Sequence, residues 1–536
     1  MRRLWLPLLA LLPACRCGGA ARVVVEPAPP IPAGCGLKEV RLQPARPVAG
    51  EPVRCAFRPS PPGRTVGVRW EGVVDPPLTG PADAPELPGA WVRPGRSIRC
   101  TVTLPECAAS SATVEVAPNP RPSNVLILII DDISAFELPP YRHPDALHAP
   151  RITRLAEEGV TFTRAWAHPL CGPSRATLLT GRHPIHTLHG TNVHPNAATG
   201  SLRPEEITIA EWLADAPRPF RRAAVGKWHL GTRAEGGAQQ ILDQGFEHHR
   251  GAWGNLYTDQ SEDGGPLSYT DWEKSIDAGP TVRTQGYITV DEADDAIALS
   301  RELREPWLLY VAFHATHEPH ANPPSSLLPK GPTSPSTGHR HEFAGMLEVL
   351  DAQIGRILDA VPADTHVVLV GDNGDDKNVV PRGRSAYEVK GSMFEGGIHV
   401  PLIIRSPLVG VPGGRARALV DMADLFPTIA EFGQRPAAHT DGRSLVPFLI
   451  NPALSDDATA WAERTQPNDQ VPTVRRDQAI RDDRFKLVRN LAGTEFLFEV
   501  GDAMDDGPDL LHDGMSDDAW DAWVDLRGRL DRGDVR

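Results

Sequence analysis

From about residue 123 onward, unbroken apolar runs of strand length alternate with segments whose apolar residues recur at helical spacing. The apolar runs are typical of strands buried on both faces of a sheet, and they are NVLILIIDD (124–132), WLLYVAF (307–313), HVVLVGDNG (366–374) and VPLIIRSP (400–407). The helical segments between them include APRITRLAEEGV, TIAEWLADA, VDEADDAIALSRELRE and HEFAGMLEVLDAQIGRILDAV. This alternation predicts an α/β fold with a mostly parallel central sheet sandwiched by helices.

A different pattern precedes this α/β block. Four short segments with strand-like alternation are separated by Pro and Gly turns, and they are EPVRCAFRPS, RTVGVRWEGVV, GAWVRPG and SIRCTVTL. They predict a small disulfide-containing β-sandwich at residues 35–117. The Pro-rich stretch APNPRPSN (117–124) is then the linker to the α/β block.

Four cysteines belong to the predicted N-terminal sandwich. Cys55, Trp70 and Cys100 stand in the order found in immunoglobulin-like domains, where a cross-sheet disulfide packs on a tryptophan. Ile98 occupies the place of the usual tyrosine, so an immunoglobulin-like sandwich and an unrelated disulfide-stapled β domain both fit. Four cysteines allow three pairings, and the sequence does not choose among them. The other two cysteines are Cys35 and Cys107.

The C-terminal part has its own pattern. The segments QAIRDDRFKLVRN and TEFLFEVG predict hairpin strands, and DAWDAWVDLRGRL predicts a short helix. We therefore expect a small α+β subdomain at residues 466–536, following the α/β block at residues 122–465.

The first residues have the features of an export signal. Two arginines precede the apolar run LWLPLLALL, which is too short to span a bilayer. The run ends in Leu-Pro-Ala-Cys at Cys15, which resembles the bacterial lipobox except for its proline. We expect a signal at residues 1–20, a Pro-rich spacer at 21–34, and an exported protein. Two outcomes stay open: simple export to the medium or periplasm, and membrane attachment at the bacterial cell envelope through a lipidated Cys15.

Composition narrows the functional classes. The chain has 536 residues, of which 40% are hydrophobic and 23% charged, as in globular proteins with a sizeable core. Its net charge is -14 and it has no block of consecutive basic residues, which argues against a nucleic acid partner. An acidic protein can still hold a locally positive pocket, so an anionic small substrate is not excluded.

Two of the predicted strands end in acidic or amide side chains. Asp131 and Asp132 follow VLILII, and Asp372 and Asn373 follow VVLVG. Parallel strands bring their carboxyl ends to one edge of the sheet, where open α/β folds bind ligands. Three carboxylates and an amide oxygen there would repel one another without a cation, and all-oxygen ligation suits Ca²⁺ or Mg²⁺ rather than zinc. For either pair alone, a helix N-cap or a turn is the simpler explanation.

Cys171 stands apart from the other cysteines, because the remaining six all lie within the first 107 residues. Pro173 suits the first turn of a helix and Gly181 its C-terminal end, so PSRATLLTG is predicted to be a short helix. Cys171 then lies just before a helix N-terminus, where negative charge is favoured. Arg175, one turn inside, can fold back toward it. A buried structural cysteine is the alternative.

The segment CGPSRATLLTGR (171–182) resembles the sulfatase motif Cys-x-Pro-Ser-Arg followed by Thr-Gly-Arg. Further segments between about residues 123 and 510 resemble other motifs of that family, which belongs to the alkaline phosphatase superfamily. They are AVGKWHLG (224–231), HATHEPH (314–320), VGDNG (370–374), VKGSMFEGGIHVP (389–401) and RDDRFKLVRN (481–490). The departures are minor: Phe220 and Arg221 replace a usual Gly-Tyr, and the stretch after HATHEPH is Pro-rich.

The resemblance implies a role for each matching position. Lys227 and Lys390 correspond to the lysines that bind the sulfate group. His229 corresponds to the histidine beside the modified cysteine, and His317 to the one that contacts the ester oxygen. Arg175 corresponds to the arginine that braces the modified residue and the metal. The implied ligands of one active-site Ca²⁺ are Asp131, Asp132, Cys171, Asp372 and Asn373.

The resemblance also implies the chemistry. A formylglycine-generating enzyme would oxidise Cys171 to Cα-formylglycine, an aldehyde hydrated to a geminal diol. One hydroxyl of the diol attacks the sulfur of a sulfate-ester substrate, and the alcohol leaves with a proton from His317 or Lys390. The second hydroxyl, deprotonated by His229, then releases sulfate. The alcohol part of the substrate is not specified by these motifs.

Other interpretations fit parts of the pattern. A phosphonate or phosphate ester hydrolase of the same superfamily would share the formylglycine, and a surface-anchored binding module could have lost its activity. The two lysines could be solvated loop residues. Three histidines in HATHEPH could suggest zinc, but His314 and His320 are better explained as structural, and Ser174 and Thr180 as groups that satisfy local backbone. Four loop aromatics could stack on a ring of the substrate or simply pack, and these are Trp253, Tyr257, Tyr269 and Trp272.

Overall fold

The computed structural model of the protein describes most of the chain from residue 121 to 534 and parts of the N-terminal region. The gaps in the first range are 258–260, 263, 329, 334–336, 381–384, 386–387, 438 and 469–474, and the described N-terminal residues are 37–44, 47, 53–59, 67–71, 86–87, 97–103, 110–115 and 119. The predicted export signal, the spacer and three of the cysteines discussed above lie outside the described residues, namely Cys15, Cys35 and Cys107.

The described N-terminal strands form two antiparallel sheets, ordered β1-β2-β4 and β3-β5-β6. A disulfide between Cys55 of β2 and Cys100 of β5 joins the two sheets, with 6.1 Å between the Cα atoms. Trp70 lies opposite Cys100 on the neighbouring strand and is buried. The structure thus selects one of the three cysteine pairings. The strands are β1 (Leu37–Gln43), β2 (Val53–Pro59), β3 (Gly67–Glu71), β4 (Glu86–Leu87), β5 (Ser97–Thr103) and β6 (Ser110–Glu115).

The α/β block is built on a ten-stranded sheet with the order β12-β11-β10-β9-β13-β7-β14-β15-β8-β16. The five strands from β10 to β14 in this order run parallel, as the continuous apolar runs predict. The strands are β7 (Val125–Ile130), β8 (Val160–Trp166), β9 (Arg221–Gly226), β10 (His248–Gly251), β11 (Asp271–Ile276), β12 (Val282–Gln285), β13 (Trp307–Ala312), β14 (His366–Gly371), β15 (Leu402–Arg405) and β16 (Gly414–Asp421).

The predicted run at 400–407 is a buried strand, but it runs antiparallel to β14. Between β14 and β15 the described residues hold one short helix, α8 (Glu395–Ile398), and no long helical crossover of the kind that usually joins parallel strands. The sheet is therefore mixed, with a parallel centre and antiparallel pairs toward both edges.

Helices cover both faces of this sheet. Alternate residues of β7 face opposite sides, so that Ile127 packs in the same core as α2, α4 and α9, while Leu128 packs with α1, α6 and α7. The helices are α1 (Pro150–Glu158), α2 (Cys171–Thr180), α3 (Pro184–Thr187), α4 (Ile209–Ala214), α5 (Gln239–Asp243), α6 (Ile288–Glu302), α7 (His339–Ala360), α8 (Glu395–Ile398), α9 (Leu425–Phe432), α10 (Val446–Ile450), α11 (Leu510–Asp513) and α12 (Asp517–Arg532).

A four-stranded antiparallel sheet follows near the C-terminus, in the order β17-β18-β19-β20. One face packs against α12, and the other packs against the α/β block around Trp166 and Ile398. Among the described residues, no helix combines the length and apolar character needed to cross a membrane. The strands are β17 (Ala460–Gln466), β18 (Arg475–Arg481), β19 (Phe485–Arg489) and β20 (Glu495–Glu499).

Candidate active site

Four neighbouring parallel strands, β9, β13, β7 and β14, deliver polar side chains to the same edge of the central sheet. The backbone ladder continues one residue past the strand ends, since the Lys227 amide donates to Ala312 O at 2.9 Å and the Asp372 amide to Ile130 O at 3.2 Å. The residues that follow the four strands are, in the order of the sheet, Lys227 and His229, His314 and His317, Asp131 and Asp132, and Asp372 and Asn373.

The two acidic strand ends converge as predicted, and all four side chains are buried. The Asp132 amide donates to Asp372 Oδ1 at 3.2 Å, and Asn373 Nδ2 donates to Asp132 Oδ1 at 2.7 Å. Asp132 adopts a left-handed backbone conformation (φ 58°), an uncommon one for a non-glycine residue that is enriched at functional sites. The sheet edge therefore holds a compact group of hard oxygen atoms, among them those of Asp131.

Cys171 is the first residue of α2, and it is fully buried beside these carboxylates. Its Sγ lies 3.5 Å from Asp131 Oδ1, 3.9 Å from Asp132 Oδ1 and 3.6 Å from Lys227 Nζ. The helix ends at Gly181, whose φ of 68° is the left-handed conformation that glycine adopts most easily. Both the predicted helix and its C-terminal glycine are confirmed, and the helix begins two residues earlier than Pro173.

Arg175 lies one turn into α2 and is also fully buried. Its guanidinium donates to Asp372 Oδ2 at 2.9 Å, to Lys227 O at 2.7 Å and to Asp131 Oδ2 at 3.3 Å. One planar cation thus connects the carboxylates after β7 and β14 with the backbone after β9.

The two lysines are not solvated loop residues. Lys227 is buried and its Nζ is hydrogen bonded to Asp131 Oδ2, while Lys390 donates to Asp132 Oδ2 at 2.8 Å. Lys390 comes from the loop before α8, which is held by hydrogen bonds from the Lys390 amide to Asp375 O and from the Gly391 amide to Pro169 O. Together with Arg175, the lysines place three cationic groups beside the carboxylates of the site.

The two predicted catalytic histidines lie in the same cluster. His229 is buried in a left-handed backbone conformation (φ 63°), and its Nδ1 has no hydrogen-bond partner among the described residues. His317 Nδ1 donates to the backbone oxygen of Glu318 at 2.7 Å. Because a carbonyl only accepts, the neutral ring carries its lone pair on Nε2, which lies 3.7 Å from Asp132 Oδ2.

The electrostatics of the cluster are set by burial and by close charges of both signs. Burial raises the pKa of Asp132 to about 7 despite the nearby Lys390, because Asp131 and Asp372 add negative charge. Burial and the carboxylate of Asp131 raise the pKa of the Cys171 thiol well above its ordinary value. An unmodified Cys171 is therefore a protonated thiol, which is a poor nucleophile.

Both histidines are held in the neutral form. Burial lowers the pKa of His229, and the positive charges of Lys227 and Arg175 lower it further. Burial lowers the pKa of His317 in the same way, with Lys390 as the next cause. Neutral imidazoles in this cluster are able to accept a proton.

The donor set fits a hard divalent cation. Asn373 Oδ1 is buried and has no hydrogen-bond partner among the described residues, so one amide oxygen is left for a further contact. Ligand atoms of Asp131, Asp132, Cys171 and His317 all lie within 4.8 Å of one another. Carboxylate and amide oxygens favour Ca²⁺ or Mg²⁺ over zinc.

The remaining histidines and hydroxyls of these motifs have structural roles. His314 is held between Glu292 Oε1 (2.6 Å from Nδ1) and Gly254 O (2.8 Å from Nε2). Ser174 Oγ accepts from the His168 amide at 3.0 Å, and Thr180 Oγ1 donates to Ala176 O at 2.8 Å. His320 packs against the rings of His339 and Phe343.

Of the four aromatic residues expected in loops, Trp272 lies in β11 and only Tyr257 borders the site. Trp253, Tyr269 and Trp272 are buried in the protein core, whereas Tyr257 is half-buried and packs against His317. The hydroxyl of Tyr257 contacts the carboxylate of Glu318, a residue that the motifs did not single out. Its position directly after His317 was the one signal in the sequence that pointed to it.

At one edge of the mixed sheet, carboxylates, cations and histidines thus surround a buried residue at the start of a helix. Such a cluster is typical of an enzyme active site. The sulfatase family model matches residues 123–433. N-acetylgalactosamine-6-sulfatase of Canis lupus familiaris is 31% identical over 382 residues, covering 65% of this chain and 70% of that protein. Arylsulfatase A of Homo sapiens is 29% identical over 401 residues, covering 68% and 74%. The chain belongs to the sulfatase family, whose members are sulfuric ester hydrolases.

The fold agrees with this assignment. The crystal structure of a protein named Ps i-CgsB, in complex with k-i-k-neocarrahexaose, superposes with a TM-score of 0.62 at 24% sequence identity. The match covers 76% of this chain and 92% of the other. The expected alkaline-phosphatase-like architecture of the central sheet and its helices is confirmed.

Proposed function

We propose that this sulfatase acts through a formylglycine made from Cys171, in a site that also holds one Ca²⁺. The observation that carries the proposal is the position of Cys171 at the start of α2, within 4 Å of two strand-end carboxylates and of Lys227. The raised pKa of its thiol gives unmodified Cys171 little nucleophilic character, which supports conversion to another group.

The modified residue supplies what the thiol lacks. When present, formylglycine provides a hydrated aldehyde with one hydroxyl for attack on sulfur and a second for release of sulfate. Because Cys171 has 0% exposure in the folded chain, we expect the formylglycine-generating enzyme to act before α2 packs into place.

The ligands proposed for Ca²⁺ are the oxygens of Asp131, Asp132, Asp372 and Asn373, together with residue 171. When bound, the ion polarises a sulfate oxygen and favours ionisation of the nucleophile. The unpartnered Oδ1 of Asn373 supports this assignment.

Side chains of the site bind the sulfate group and transfer the protons. Lys227 and Lys390 contact the carboxylates of the site through their ammonium groups, and from there they reach the oxygens of a bound sulfate group. Of the two candidate proton donors to the leaving alcohol, Lys390 is already protonated, because close carboxylates raise its pKa. His317 is neutral, with its lone pair on Nε2, and would first have to take up a proton. His229, neutral and with an unpartnered Nδ1, accepts the proton at the step that releases sulfate.

Arg175 is proposed to brace the site. Two of its hydrogen bonds hold Asp131 and Asp372, and a third holds the backbone oxygen of Lys227, so that its charge stays beside the nucleophile. Such preorganised charge stabilises the developing negative charge on the sulfuryl oxygens, as it does in phosphoryl transfer.

The cellular assignments are proposals from the sequence. We propose that the protein is exported and is secreted, periplasmic or anchored through Cys15. The proposed order of its parts is a signal at 1–20, a spacer at 21–34, an N-terminal sandwich at 35–117, the catalytic domain at 122–465 and a C-terminal subdomain at 466–536. The cross-sheet Cys55–Cys100 disulfide supports an oxidising compartment.

Steady-state rates on matched esters test the activity. The protein is produced with a formylglycine-generating enzyme, and kcat/KM is measured on 4-nitrophenyl sulfate and on a 4-nitrophenyl phosphonate, for the unaltered chain and for Cys171→Ala. We expect the sulfate to be the better substrate and Cys171→Ala to be inactive. A dominant phosphonate rate would instead identify a phosphonate hydrolase. No turnover by protein with verified formylglycine would favour the inactive binding module.

A further inference from the structure

Tyr257 and Glu318 form a pair at the open side of the site. The Tyr257 hydroxyl donates to Glu318 Oε1 at 2.8 Å and lies 3.5 Å from His317 Nε2. Both side chains are half-buried, whereas Asp131, Asp132 and His317 beneath them are buried. The pair therefore lies between the catalytic cluster and solvent.

This position is where the alcohol part of a substrate extends. In the proposed function His317 contacts the ester oxygen, so the group attached to that oxygen continues past His317 Nε2. The ring of Tyr257 lies against the His317 ring, with centroids 5.6 Å apart and planes inclined by 57°. A leaving group that passes His317 therefore meets Tyr257 and Glu318 first.

The pair is held in a fixed place by the loops that carry it. The hydroxyl of Tyr269 contacts the backbone oxygens of both His314 and His317, at 2.6 and 2.7 Å. The His314 ring joins Gly254 O in the Tyr257 loop to Glu292 of α6. Because the two side chains are already ordered, they lose little conformational entropy when a ligand binds.

The hydrogen bonds of the pair leave one strong acceptor in reach of a ligand. No hydrogen bond or ion pair among the described residues involves Glu318 Oε2. A carboxylate oxygen accepts hydrogen bonds from hydroxyl groups, and a tyrosine ring offers a flat apolar surface. A sugar supplies both partners, since it carries hydroxyl donors and apolar C–H faces, whereas a simple aryl or steroid sulfate has no neighbouring hydroxyl.

We propose that Tyr257 and Glu318 recognise the sugar ring of a carbohydrate sulfate ester, with Glu318 accepting from a hydroxyl near the scissile sulfate. This inference rests on the proposed function and names its substrate class. A carboxylate also repels an anion placed beside it, so the recognised sugar carries no second sulfate or carboxylate on the same ring. The preferred substrate is a neutral sugar with one sulfate ester.

A selectivity experiment tests this proposal with protein of verified formylglycine content. kcat/KM is measured on 4-nitrophenyl sulfate, on N-acetylgalactosamine 6-sulfate and N-acetylglucosamine 6-sulfate, and on D-glucosamine-2-N,6-O-disulfate. For the unaltered protein we expect the better of the two N-acetyl sugars to exceed the disulfate in kcat/KM.

The variants separate recognition from catalysis. Glu318→Ala should lower kcat/KM on the monosulfated sugar about 10- to 100-fold, as for loss of a hydrogen bond to a charged group, mainly through KM. Tyr257→Phe keeps the ring and should lose about 3- to 10-fold. For both variants, the loss on the monosulfated sugar should exceed the loss on 4-nitrophenyl sulfate by at least about threefold. Glu318→Gln should raise the disulfate rate relative to the monosulfate. Glu205→Gln, which removes an exposed carboxylate elsewhere, is the net-charge control.

The possible results separate the proposed sugar recognition from the proposed sulfate ester hydrolysis. The sugar-recognition proposal would be overturned if the protein hydrolysed the aryl sulfate but no sugar sulfate. It would also be overturned if Glu318→Ala lost equal activity on both substrate types. Either result would leave sulfate ester hydrolysis intact. Absence of turnover on every sulfate would overturn the proposed function and this inference with it. A selective loss on the sugar sulfates supports both.

Discussion

At the scale of single residues, Arg175 connects more parts of the site than an ordinary ion pair would. Its guanidinium has 0% exposure and joins Asp372, Asp131 and the backbone oxygen of Lys227. An ammonium group is a point charge without the planar fork, so it cannot make these contacts together. Lysine is therefore not a conservative replacement here.

We predict that Arg175→Lys lowers kcat/KM on an aryl sulfate by about 100-fold or more, since each lost charged hydrogen bond is worth about 1.5–3 kcal/mol. The comparison uses preparations whose conversion of residue 171 has been quantified. Arg182→Lys is the matched control, because Arg182 lies just past the same helix but is 40% exposed and pairs with Glu206 at 2.6 Å. Similar activity in the two variants would contradict the bracing role.

Residue chemistry also decided which parts of the site could be predicted. Asp131, Asp132, Asp372 and Asn373 were recognisable because each pair directly follows a buried apolar run, and parallel strands end at the same edge. Tyr257 could not be assigned in this way. It reaches His317 from the loop after β10, across a sequence separation of 60 residues, and its own loop has no distinguishing pattern.

At the scale of elements, the loop before α8 depends on a buried ionic cluster. Lys486 of β19 is fully buried and lies between Glu395 of α8, at 3.0 Å, and Asp506, at 2.5 Å. Its ammonium group also lies 5.0 Å from the centre of the Trp166 ring. The C-terminal sheet is thereby joined to the segment that carries Lys390.

We predict that Lys486→Met destabilises the protein by about 3–5 kcal/mol, because Glu395 and Asp506 would be left buried without their cation. The measurement is the melting temperature by calorimetry. The control is Arg484→Met, which removes a half-exposed cation paired with Glu499 and Asp518 on the same subdomain, and such surface pairs contribute about 0–1 kcal/mol. Equal melting temperatures for the two variants would show that the cluster does not hold the elements together.

The direction of β15 is an element-level feature that the sequence pattern did not reveal. Its residues form a buried apolar run like those of β7 and β14, so periodicity alone suggests another parallel strand. The direction of a strand depends on its connection, and α8 with its flanking loop returns the chain without crossing the sheet. Burial was predictable from composition, but orientation was not.

At the scale of the whole molecule, buried neutral histidines link stability to pH. Burial lowers the pKa to about 4 for His189 and for His249, and to about 3 for His366. In the unfolded chain a histidine titrates near 6.5. Between these values the unfolded state binds more protons than the folded state, so stability is complete above about pH 6.5 and falls as the pH is lowered toward 4.

We predict that His366→Gln reduces this acid sensitivity by up to about 1.4 kcal/mol for each pH unit between pH 6 and pH 4. His366 contacts Ser406 Oγ at 2.8 Å and stacks on Phe432, so the variant is less stable at neutral pH but has a shallower pH dependence. Melting temperatures measured across this range give the slope. A slope equal to that of the unaltered protein would contradict burial of a neutral imidazole at this position.

The proposed mechanism requires that one residue, Cys171, is converted to formylglycine. Its direct test is the mass of the tryptic peptide AWAHPLCGPSR, residues 165–175, from protein that hydrolyses 4-nitrophenyl sulfate. We predict a peptide about 18 Da lighter than the cysteine form, because the thiol has been exchanged for an aldehyde oxygen. An active preparation in which residue 171 is an intact thiol would contradict the account.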